Sequence, residues 1–331
     1  MTFRALLTDR DAEGKVSSAV TELDDARLPQ GNVTVDIDWA GLNYKDGLCL
    51  TGGGGLVRTY PHVAGIDFAG TVRDSADDRY GVGDEVVLTG WRVGETQWGG
   101  FAERARVSAD WLVPLPKGLS TRDAMVLGTA GLTAMLAINR LEAAGLTHAA
   151  GPVLVTGAAG GVGSIATALL ATLGYEVAAL SGRRQHAEAL TALGATSIVD
   201  RSTFLAEADK PLESARWAAA IDNVGGQILG KLLRQIRYGG AVASIGNAGG
   251  IGLDTNVLPF ILRGVTLLGI DSVMQPYPAR IAAWQRLAQT FDLAAYGALV
   301  REIGLAELPG AAADILAGNV RGRLLVRPSQ R

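Results

Sequence analysis

The sequence has almost no cysteine, since Cys49 is the only one among 331 residues. One thiol excludes an internal disulfide and any cluster of thiolate zinc ligands, and a lone Cys is usually a small buried apolar residue. Histidine is nearly as scarce: His62, His148 and His186 are too few and too dispersed for a metal-ligand set or a catalytic triad. We therefore expect no metal site, and we interpret the three histidines as ordinary surface or loop residues.

Blocks of like charge and long apolar runs are also absent. The 30 Lys and Arg residues and the 33 Asp and Glu residues are scattered and sum to a net charge of −3, so no electrostatic footprint for nucleic acid or an anionic membrane is present. No stretch approaches the length of an uncharged membrane span, and the N-terminal MTFRALLTDRDAEG lacks the apolar core of a signal peptide. We therefore expect a cytoplasmic protein with no nucleic-acid or membrane partner.

Glycine and apolar residues are abundant, with 44 glycines and 48% hydrophobic residues. A chain of this length and composition can bury a large core and is expected to form two domains. Up to about residue 120, short β-branched or alternating runs are separated by Gly, Asp and Pro, a pattern typical of an antiparallel barrel or sandwich. The predicted strands lie at residues 3–7, 32–42, 66–72, 85–88 and 101–107.

From Ser120 onward, helices and strands alternate. Ser120 with Asp123 three residues later predicts a capped helix start, and the helix over 124–144 is interrupted at 128–131. Further strands are predicted at 153–156, 176–181, 197–199, 218–222, 240–245 and 265–269, with helices after Gly163 and at 185–193 and 227–236. Six strands alternating with helices predict a doubly wound parallel sheet. The tail is predicted to hold one helix at 278–291 and a closing strand at 323–326.

The stretch PVLVTGAAGGVGS, residues 152–164, predicts a dinucleotide site. Its first five residues read as a buried strand, and Gly157, Gly160 and Gly163 follow at three-residue intervals before an alanine- and leucine-rich helix. Such glycines let the backbone approach a pyrophosphate, and the helix N-terminus offers it unpaired N–H groups. The spacing differs from G-x-G-x-x-G, and a turn needed only for packing the helix on the strand is the alternative.

The end of the second strand of this sheet indicates which dinucleotide is bound. NAD sites usually place Asp or Glu there, about 20 residues past the glycines, to accept from the ribose hydroxyl. This chain instead has Ser181-Gly182-Arg183-Arg184, and Arg201 follows the third strand, where it could lie over the adenine or join a phosphate. A hydroxyl and guanidinium groups suit a 2′-phosphate. We therefore predict NADP(H), with solvated surface arginines as the alternative.

Motifs over most of the chain resemble those of the zinc-free quinone oxidoreductase branch of the medium-chain dehydrogenase/reductase superfamily. They are NYKD at 43–46, GIDFAGTV at 65–72, WGGFAE at 98–103, GTAGLTA at 128–134 and AAGGVG at 158–163. A closer resemblance, to the acrylyl-CoA reductase group, rests on SGR at 181–183, DNVGG at 222–226, GNAG at 246–249 and LGIDSV at 268–273.

The resemblance implies an α/β fold with a GroES-like β-barrel domain plus a doubly wound parallel-sheet Rossmann domain. The barrel would comprise residues 1–121 completed by 272–331, and the NADP-binding Rossmann domain residues 122–271. The resemblance also implies a homodimer in which the sixth Rossmann strand pairs with its copy, which would cover an apolar edge. Zinc members bind the catalytic metal through a Gly-His-Glu segment and other ligands, whereas this chain has Gly65-Ile66-Asp67, so no zinc site is implied.

The resemblance also implies the site residues. The catalytic candidates are Tyr44, whose phenol can donate a proton, and Asn43, which could hold the backbone or the carboxamide of the nicotinamide. Packing against the nicotinamide is the alternative for Tyr44, and Lys45 and Asp46 are expected to form a structural ion pair or to cap a helix. The cofactor-binding candidates are Thr129, Thr133, Ala159, Gly160, Gly161, Val162, Ser181, Arg183, Arg201, Asn223, Asn247, Ile270, Ser272 and Arg323. Packing is the alternative for the two threonines, and a surface charge for Arg323.

These features favour NADPH-dependent reduction of the C=C bond of a short 2-enoyl-CoA, with acryloyl-CoA to propionyl-CoA as the leading case. Hydride attack on the β carbon of an activated alkene moves negative charge to the carbonyl oxygen, so hydrogen-bond donors and a proton source can suffice without a metal. Reduction of a quinone or a free enone is the alternative, because it needs the same hydride donor and no CoA site. A non-catalytic NADPH-binding protein is the alternative of another class.

Overall fold

The chain divides into two units. The structure, a computed structural model, describes residues 1–206 and 210–329, and for Arg184 only the backbone. Unit 1 comprises Met1–Ala130, Ser272–Ala288 and Gly297–Arg331, and unit 2 comprises Gly131–Asp271 and Gln289–Tyr296. The change of unit after Asp271 falls where the sequence placed a boundary, whereas residue 121 lies inside unit 1.

Unit 1 begins with antiparallel strands. They are β1 (Thr2–Arg10), β2 (Val16–Asp24), β3 (Val33–Leu42), β4 (His62–Val63), β5 (Asp67–Ser75), β6 (Glu85–Thr89), β7 (Arg104–Val107) and β8 (Leu112–Pro114), with helix α1 (Tyr44–Thr51) after β3. One sheet has the order β2–β1–β4, and a second contains β3–β5–β6–β8 with β7 also paired to β3. The predicted β-rich start is confirmed, while β2, β4, β8 and α1 had not been assigned from the sequence.

Helix α2 (Thr121–Ala143) follows β8 and contains the predicted interruption, with non-helical backbone at Gly128. The hydroxyl of Ser120 accepts from the Asp123 N–H at 3.1 Å and donates to its carboxylate at 2.7 Å, which confirms the predicted cap. Among the described residues, α2 is the one helix long and apolar enough to cross a membrane, and 83% of its apolar window is buried inside the protein. Such burial is typical of a core helix.

Unit 2 contains a six-stranded parallel sheet. Its strands are β9 (Val153–Thr156), β10 (Val177–Ser181), β11 (Ser197–Asp200), β12 (Trp217–Asp222), β13 (Ile236–Ser244) and β14 (Thr266–Gly269), and its helices are α3 (Gly161–Thr172), α4 (Ala187–Ala192), α5 (Arg201–Ala206), α6 (Gly226–Leu233) and α7 (Leu258–Arg263). The strand order β11–β10–β9–β12–β13–β14 confirms the predicted doubly wound sheet. Every residue of β9, β10 and β12 is buried, which explains their continuous apolar sequence. The helix predicted to reach residue 236 ends earlier, because Ile236 pairs with Trp217 in the sheet.

The tail holds more structure than predicted. Its elements are α8 (Tyr277–Thr290), α9 (Leu293–Tyr296), β15 (Val300–Ile303), α10 (Leu308–Leu316) and β16 (Arg323–Val326). The predicted closing strand β16 pairs antiparallel with β3 and parallel with β15, so it completes the second sheet of unit 1. The expectation of a single helix in the tail is wrong, since α9 and α10 follow α8.

Candidate functional site

The predicted dinucleotide turn of unit 2 folds as a strand, a glycine turn and a helix. Gly157 has a positive φ of 58°, and α3 begins at Gly161 with Gly160 as its N-cap. A Cβ atom on Gly163 would collide with the carbonyl oxygen of Gly157 and would lie 2.7 Å from the Cα of Ala158, so only glycine lets α3 start this close to the turn. None of the four predicted residues 159–162 is buried. The first-turn N–H groups of α3 therefore form a cradle suited to an anion.

Three residues predicted to select the cofactor come together at the carboxyl ends of β10 and β11. Ser181 pairs in register with Asp200, the residue before Arg201. A Cβ atom on Gly182 would lie 2.7 Å from Cζ and 2.8 Å from Nε of Arg201, so this exposed guanidinium packs directly on the Gly182 backbone. The backbone N–H of Arg183 donates to Oγ of Ser181 at 3.3 Å. The side chain of Arg184 lies outside the described residues.

Asn223, at the carboxyl end of β12, offers an unused acceptor. Its N–H donates to Oγ1 of Thr156 at 3.0 Å and its Nδ2 donates to the carbonyl oxygen of Thr156 at 2.7 Å. Its Oδ1 is buried and accepts from no group of the described chain. The Thr156 hydroxyl donates to Asp222 at 2.6 Å, and burial raises the pKa of that carboxyl. Because a buried acceptor without a donor is costly, Asn223 is suited to receive a hydroxyl or amide hydrogen from a ligand.

The structure gives the positions of further cofactor-binding candidates: Asn247, Ile270, Thr133 and Ser272. Asn247 is exposed after β13, and a Cβ on Gly225 would lie 3.3 Å from its Cα, so it adjoins the loop of Asn223. The Ile270 N–H already donates to Ser244 at 3.1 Å, and Thr133 on α2 is 3% exposed. In unit 1, the carbonyl oxygen of Ser272 accepts from Arg280 at 3.2 Å. Their contacts with a cofactor stay predictions.

In unit 1, both catalytic candidates stand at the start of α1. Asn43 is the N-cap residue, and its backbone N–H donates to Oδ2 of Asp46 at 2.8 Å. Tyr44 is the first helical residue and is 43% exposed, so its phenol is accessible. The ammonium of Lys45 pairs with Glu95 at 2.9 Å. Of the two alternatives for Lys45 and Asp46, the helix cap is confirmed at Asp46, whereas Lys45 forms its ion pair with Glu95 and not with Asp46.

Two acids and one arginine lie buried at the start of α1, one of the acids within the helix itself. With the N-cap residue they form what we call the acid–arginine cluster (Asn43, Asp46, Asp67 and Arg323). Asp46 and Asp67 are fully buried and Arg323 is 2% exposed. Oδ2 of Asp67 lies 3.7 Å from Nη2 of Arg323 and accepts from Nδ2 of Asn43 at 3.0 Å. Oδ1 of Asn43 in turn accepts from Nη1 of Arg323 at 2.9 Å. Each buried charge therefore has polar partners, as burial requires.

The pKa of the Asp46 carboxyl is far above the ordinary value for an aspartate. Burial, reinforced by the negative charge of Asp67, raises the pKa of Asp46 to about 7. Hydrogen bonds to the ionised form oppose that rise: Oδ1 accepts from the backbone N–H of Gly65 at 3.1 Å and of Ile66 at 2.8 Å, and Oδ2 accepts from Asn43. The carboxyl group thus changes protonation near neutral pH.

The cluster also supplies hydrogen-bond partners for the backbone groups of α2 at its interruption. Gly128 has φ 51° and ψ −151°, so the Thr129 N–H cannot donate to the carbonyl oxygen four residues earlier. Instead it donates to Oδ2 of Asp67 at 2.7 Å, while Arg323 donates to the carbonyl oxygens of residues 126 and 125 at 3.1 and 3.3 Å. A Cβ at position 128 would lie 2.6 Å from the same Asp67 oxygen. Side chains from β5 and β16 therefore replace the helical hydrogen bonds lost at Gly128.

The side chain of Arg323 lies inside unit 1, where its donors bind protein oxygens. The predicted contact with a cofactor or an acyl-CoA is not supported, because its Nε, Nη1 and Nη2 donate to protein oxygens and the residue is buried. The alternative of a surface charge is wrong for the same reason. Sequence reasoning missed Asp67, although an Asp in the otherwise apolar segment 66–70 was a usable signal, since a charged residue in a buried strand needs a partner.

The scarce thiol and imidazoles are mostly buried. Cys49 is buried as predicted, which raises the pKa of its thiol to about 12. His148 is exposed as expected, but His62 and His186 are 3% and 8% exposed, so their interpretation as surface residues is wrong. Within residues 1–206 and 210–329, no three His, Cys, Asp or Glu side chains group as a metal-ligand set. The predicted absence of a catalytic zinc rests on the sequence, where Ile66 occupies the position of the histidine ligand.

The chain is similar to known oxidoreductases over its whole length. Residues 29–117 match the family described as alcohol dehydrogenase GroES-like domain, and residues 161–291 match the family described as zinc-binding dehydrogenase. Acrylyl-CoA reductase AcuI of Ruegeria pomeroyi is 58% identical over 325 residues, which cover 98% of each chain.

Two solved structures share the fold. The yhdH oxidoreductase from Salmonella enterica, in complex with NADP, is 51% identical with a TM-score of 0.96 and covers 99% of this chain and 100% of its own. The protein yhfP of Bacillus subtilis, with NAD bound, is 45% identical with a TM-score of 0.96 over the same shares of the two chains. The chain therefore belongs to the medium-chain dehydrogenase/reductase family and, within it, to the acrylyl-CoA reductase group.

Proposed function

We propose that this protein is an NADPH-dependent reductase of the C=C bond of a short 2-enoyl-CoA, with acryloyl-CoA as substrate and propionyl-CoA as product. The observation that carries the proposal is the full-length identity of 58% to an acrylyl-CoA reductase. The exposed guanidinium of Arg201 on Gly182 supports NADPH over NADH, because it gives a 2′-phosphate a cationic partner.

The residues that would hold NADP(H) fit that group. The N–H groups of residues 159, 161 and 162 suit its pyrophosphate, while the N–H of Gly160 already donates to Gly157 at 3.0 Å. Ser181 with Arg183 and Arg201 suits its 2′-phosphate, and the orphaned Oδ1 of Asn223 suits a hydroxyl of the nicotinamide half. Asn247, beside the Asn223 loop, is assigned to the nicotinamide ribose. Thr129, Thr133, Ile270 and Ser272 keep their assignment to the nicotinamide end as proposals.

The chemistry needs a hydride for the β carbon and a proton for the α carbon. When bound, NADPH supplies the hydride. Tyr44 is the protein group proposed to stabilise the developing negative charge or to supply the proton. Its phenol is accessible, so it can donate a hydrogen bond to the thioester oxygen or transfer its proton. Asn43 supports the turn that carries Tyr44 and is assigned a positioning role, which is the backbone-holding alternative of the two that the sequence left open.

The proposed function is tested by following NADPH oxidation with acryloyl-CoA, crotonyl-CoA and a benzoquinone in parallel. We expect turnover of acryloyl-CoA with formation of propionyl-CoA, and slower turnover with NADH. Turnover confined to the benzoquinone would replace the proposal by quinone reduction. Tight NADPH binding without turnover of any acceptor would indicate a binding protein.

Arg201→Ala is expected to raise the dissociation constant for NADPH by roughly tenfold to a hundredfold, because a charge-assisted bond to the 2′-phosphate is lost. Arg183→Ala is expected to act in the same direction. NADH provides the matched control, since it lacks that phosphate, and its affinity should not change. Fluorescence titration of both cofactors measures the two constants. Equal weakening of NADH and NADPH would place Arg201 on the adenine and contradict the assigned role.

We also propose a cytoplasmic homodimer that pairs β14 with its copy. β14 is an edge strand of the unit 2 sheet, and on the preceding helix α7 Ile261 and Leu262 are 69% and 57% exposed. An apolar edge of this kind is an aggregation hazard unless it is covered. A monomeric mass in sedimentation equilibrium would contradict this arrangement.

A further inference from the structure

Tyr44 sits inside a helical turn that is fixed on both sides. Asn43 precedes it and Asp46 follows two residues later, and the two are joined by the bond from the Asn43 N–H to Oδ2 of Asp46 at 2.8 Å. The other oxygen of Asp46 accepts from the N–H groups of Gly65 and Ile66 at 3.1 and 2.8 Å. These bonds tie the first turn of α1 to the segment before β5, and so they set the direction of the Cα–Cβ bond of Tyr44.

The rest of the acid–arginine cluster fixes the N-cap residue itself. Both polar atoms of the Asn43 side chain are used, since Nδ2 donates to Asp67 at 3.0 Å and Oδ1 accepts from Arg323 at 2.9 Å. Asp67 is anchored in turn by the N–H groups of Gly41 at 3.0 Å and Thr129 at 2.7 Å. Because both carboxylates are fully buried, water cannot replace these bonds when one is lost.

We propose that the acid–arginine cluster is a positioning unit for Tyr44, in which the carboxylate of Asp46 locks the first turn of α1. The inference rests on the proposed function, because it gives Asp46 an effect on the reduction through the Tyr44 phenol. Asp46 is fully buried and does not reach the surface that Tyr44 presents, so it is a positioning residue and not a catalytic one.

The lock requires the ionised form of Asp46. As a carboxylate, Oδ2 accepts from both the N–H and Nδ2 of Asn43, at 2.8 and 3.3 Å. A proton on Oδ2 would make it a donor that faces two donors, so the bonds from Asn43 to this oxygen would be lost. Because the pKa of Asp46 is about 7, the fraction of molecules that hold Asn43 through these bonds falls as the pH drops below neutrality.

The charges that face Asp46 are few. From β5 comes Asp67, whose negative charge raises the pKa of Asp46, and beyond it from β16 comes Arg323, which lies 3.7 Å from Asp67. On its own helix lie Lys45, which is paired with Glu95, and the buried thiol of Cys49. Helix α10 packs against α1 through the apolar side chains of residues 315 and 316. Asp46 therefore titrates in response to the cluster and not to solvent-exposed charge.

Asp46→Asn is the variant that tests the inference. The amide oxygen can keep the bonds to Gly65 and Ile66, while the amide nitrogen faces the donors of Asn43 and breaks the cap. We expect kcat to fall by about tenfold or more, with the KM for acryloyl-CoA and the dissociation constant for NADPH unchanged, because a small displacement of a reacting group is costly. We expect the acid limb of the wild-type kcat profile, near pH 7, to disappear in the variant.

Two comparisons separate positioning from general stability. Asp123→Asn makes the same change at the cap of α2, where Asp123 pairs with Ser120 outside the cluster, and it should leave kcat and its pH profile unchanged. In a Tyr44→Phe background, Asp46→Asn should lower kcat no further, since residues that act as one unit are not additive. Additive losses, or a wild-type pH profile retained in Asp46→Asn, would overturn the inference.

Amide hydrogen exchange tests the lock at Asp46 without relying on catalytic activity, so it can fail or succeed separately from the proposed function. In Asp46→Asn, the amides of residues 43–47 and 65–66 should exchange faster than in the wild type. If the wild type reduces no acceptor, the proposed function fails and this exchange pattern alone decides whether Asp46 locks the turn. Unchanged protection of both segments would refute the lock regardless of activity.

Discussion

Asp67→Ala is expected to lower the free energy of unfolding by about 3–5 kcal/mol, because removing one partner of a buried ion pair leaves the other uncompensated. Arg323 would remain 2% exposed with no carboxylate beside it, since Asp67 is the acid within 4 Å of its guanidinium in the described part of the chain. The N–H groups of Gly41 and Thr129 would lose their acceptor as well. Urea denaturation followed by circular dichroism measures the loss.

The matched control is Glu302→Ala, which breaks an ion pair of the same unit at the surface. Glu302 on β15 pairs with Arg122 at 2.7 Å, but the two side chains are 40% and 42% exposed. Exposed pairs are worth about 1 kcal/mol or less, so this variant should unfold close to the wild-type midpoint. A loss in Asp67→Ala no greater than that in Glu302→Ala would show that the cluster contributes little to stability.

Gly163→Ala is expected to raise the dissociation constant for NADPH by roughly a hundredfold. The added Cβ would overlap the carbonyl oxygen of Gly157 and lie 2.7 Å from the Cα of Ala158, and neither backbone atom can rotate away. The start of α3 must then move off the turn, which displaces the N–H groups that would bind the pyrophosphate; losing one or two such charge-assisted bonds gives an effect of about this size. Calorimetric titration with NADPH measures it.

Gly252→Ala serves as the control for the glycine prediction. Gly252 is exposed in the same unit, has no positive φ, and a Cβ there would meet no atom within 4 Å. Its NADPH affinity should match the wild type. Equal affinity in Gly163→Ala and Gly252→Ala would contradict the cradle at residues 157–163.

The parts of the fold with local signals were predictable. The cradle follows from thirteen consecutive residues in which a buried strand meets glycines and a helix, and the parallel sheet follows from the alternation after Ser120. The strand β2 was missed because its VSSAVTELD is mostly exposed and carries no clear apolar alternation. Helix α10 begins with Leu308-Pro309-Gly310, which reads as a break, although Pro is favourable in a first helical turn.

The site was predictable only where its residues are close in sequence or match a motif. Ser181 and Arg201 meet because adjacent strands end together, which the strand pattern implies. The acid–arginine cluster joins positions 43, 46, 67 and 323, and no local pattern states that the last strand returns beside β3. Arg323 was therefore assigned to a ligand, although its charge is used inside the protein.

The replacement of helical hydrogen bonds at Gly128 has a consequence for engineering and for descent. Gly128 leaves room for the Asp67 and Arg323 side chains, Gly41 is confined by the same two groups, and the carbonyls of α2 depend on them. A chimaera that takes α2 from one relative and the strands from another must therefore transfer positions 41, 67, 128 and 323 as a set. Because a change at one of these positions would leave the others without their partners, we expect the four to be inherited together.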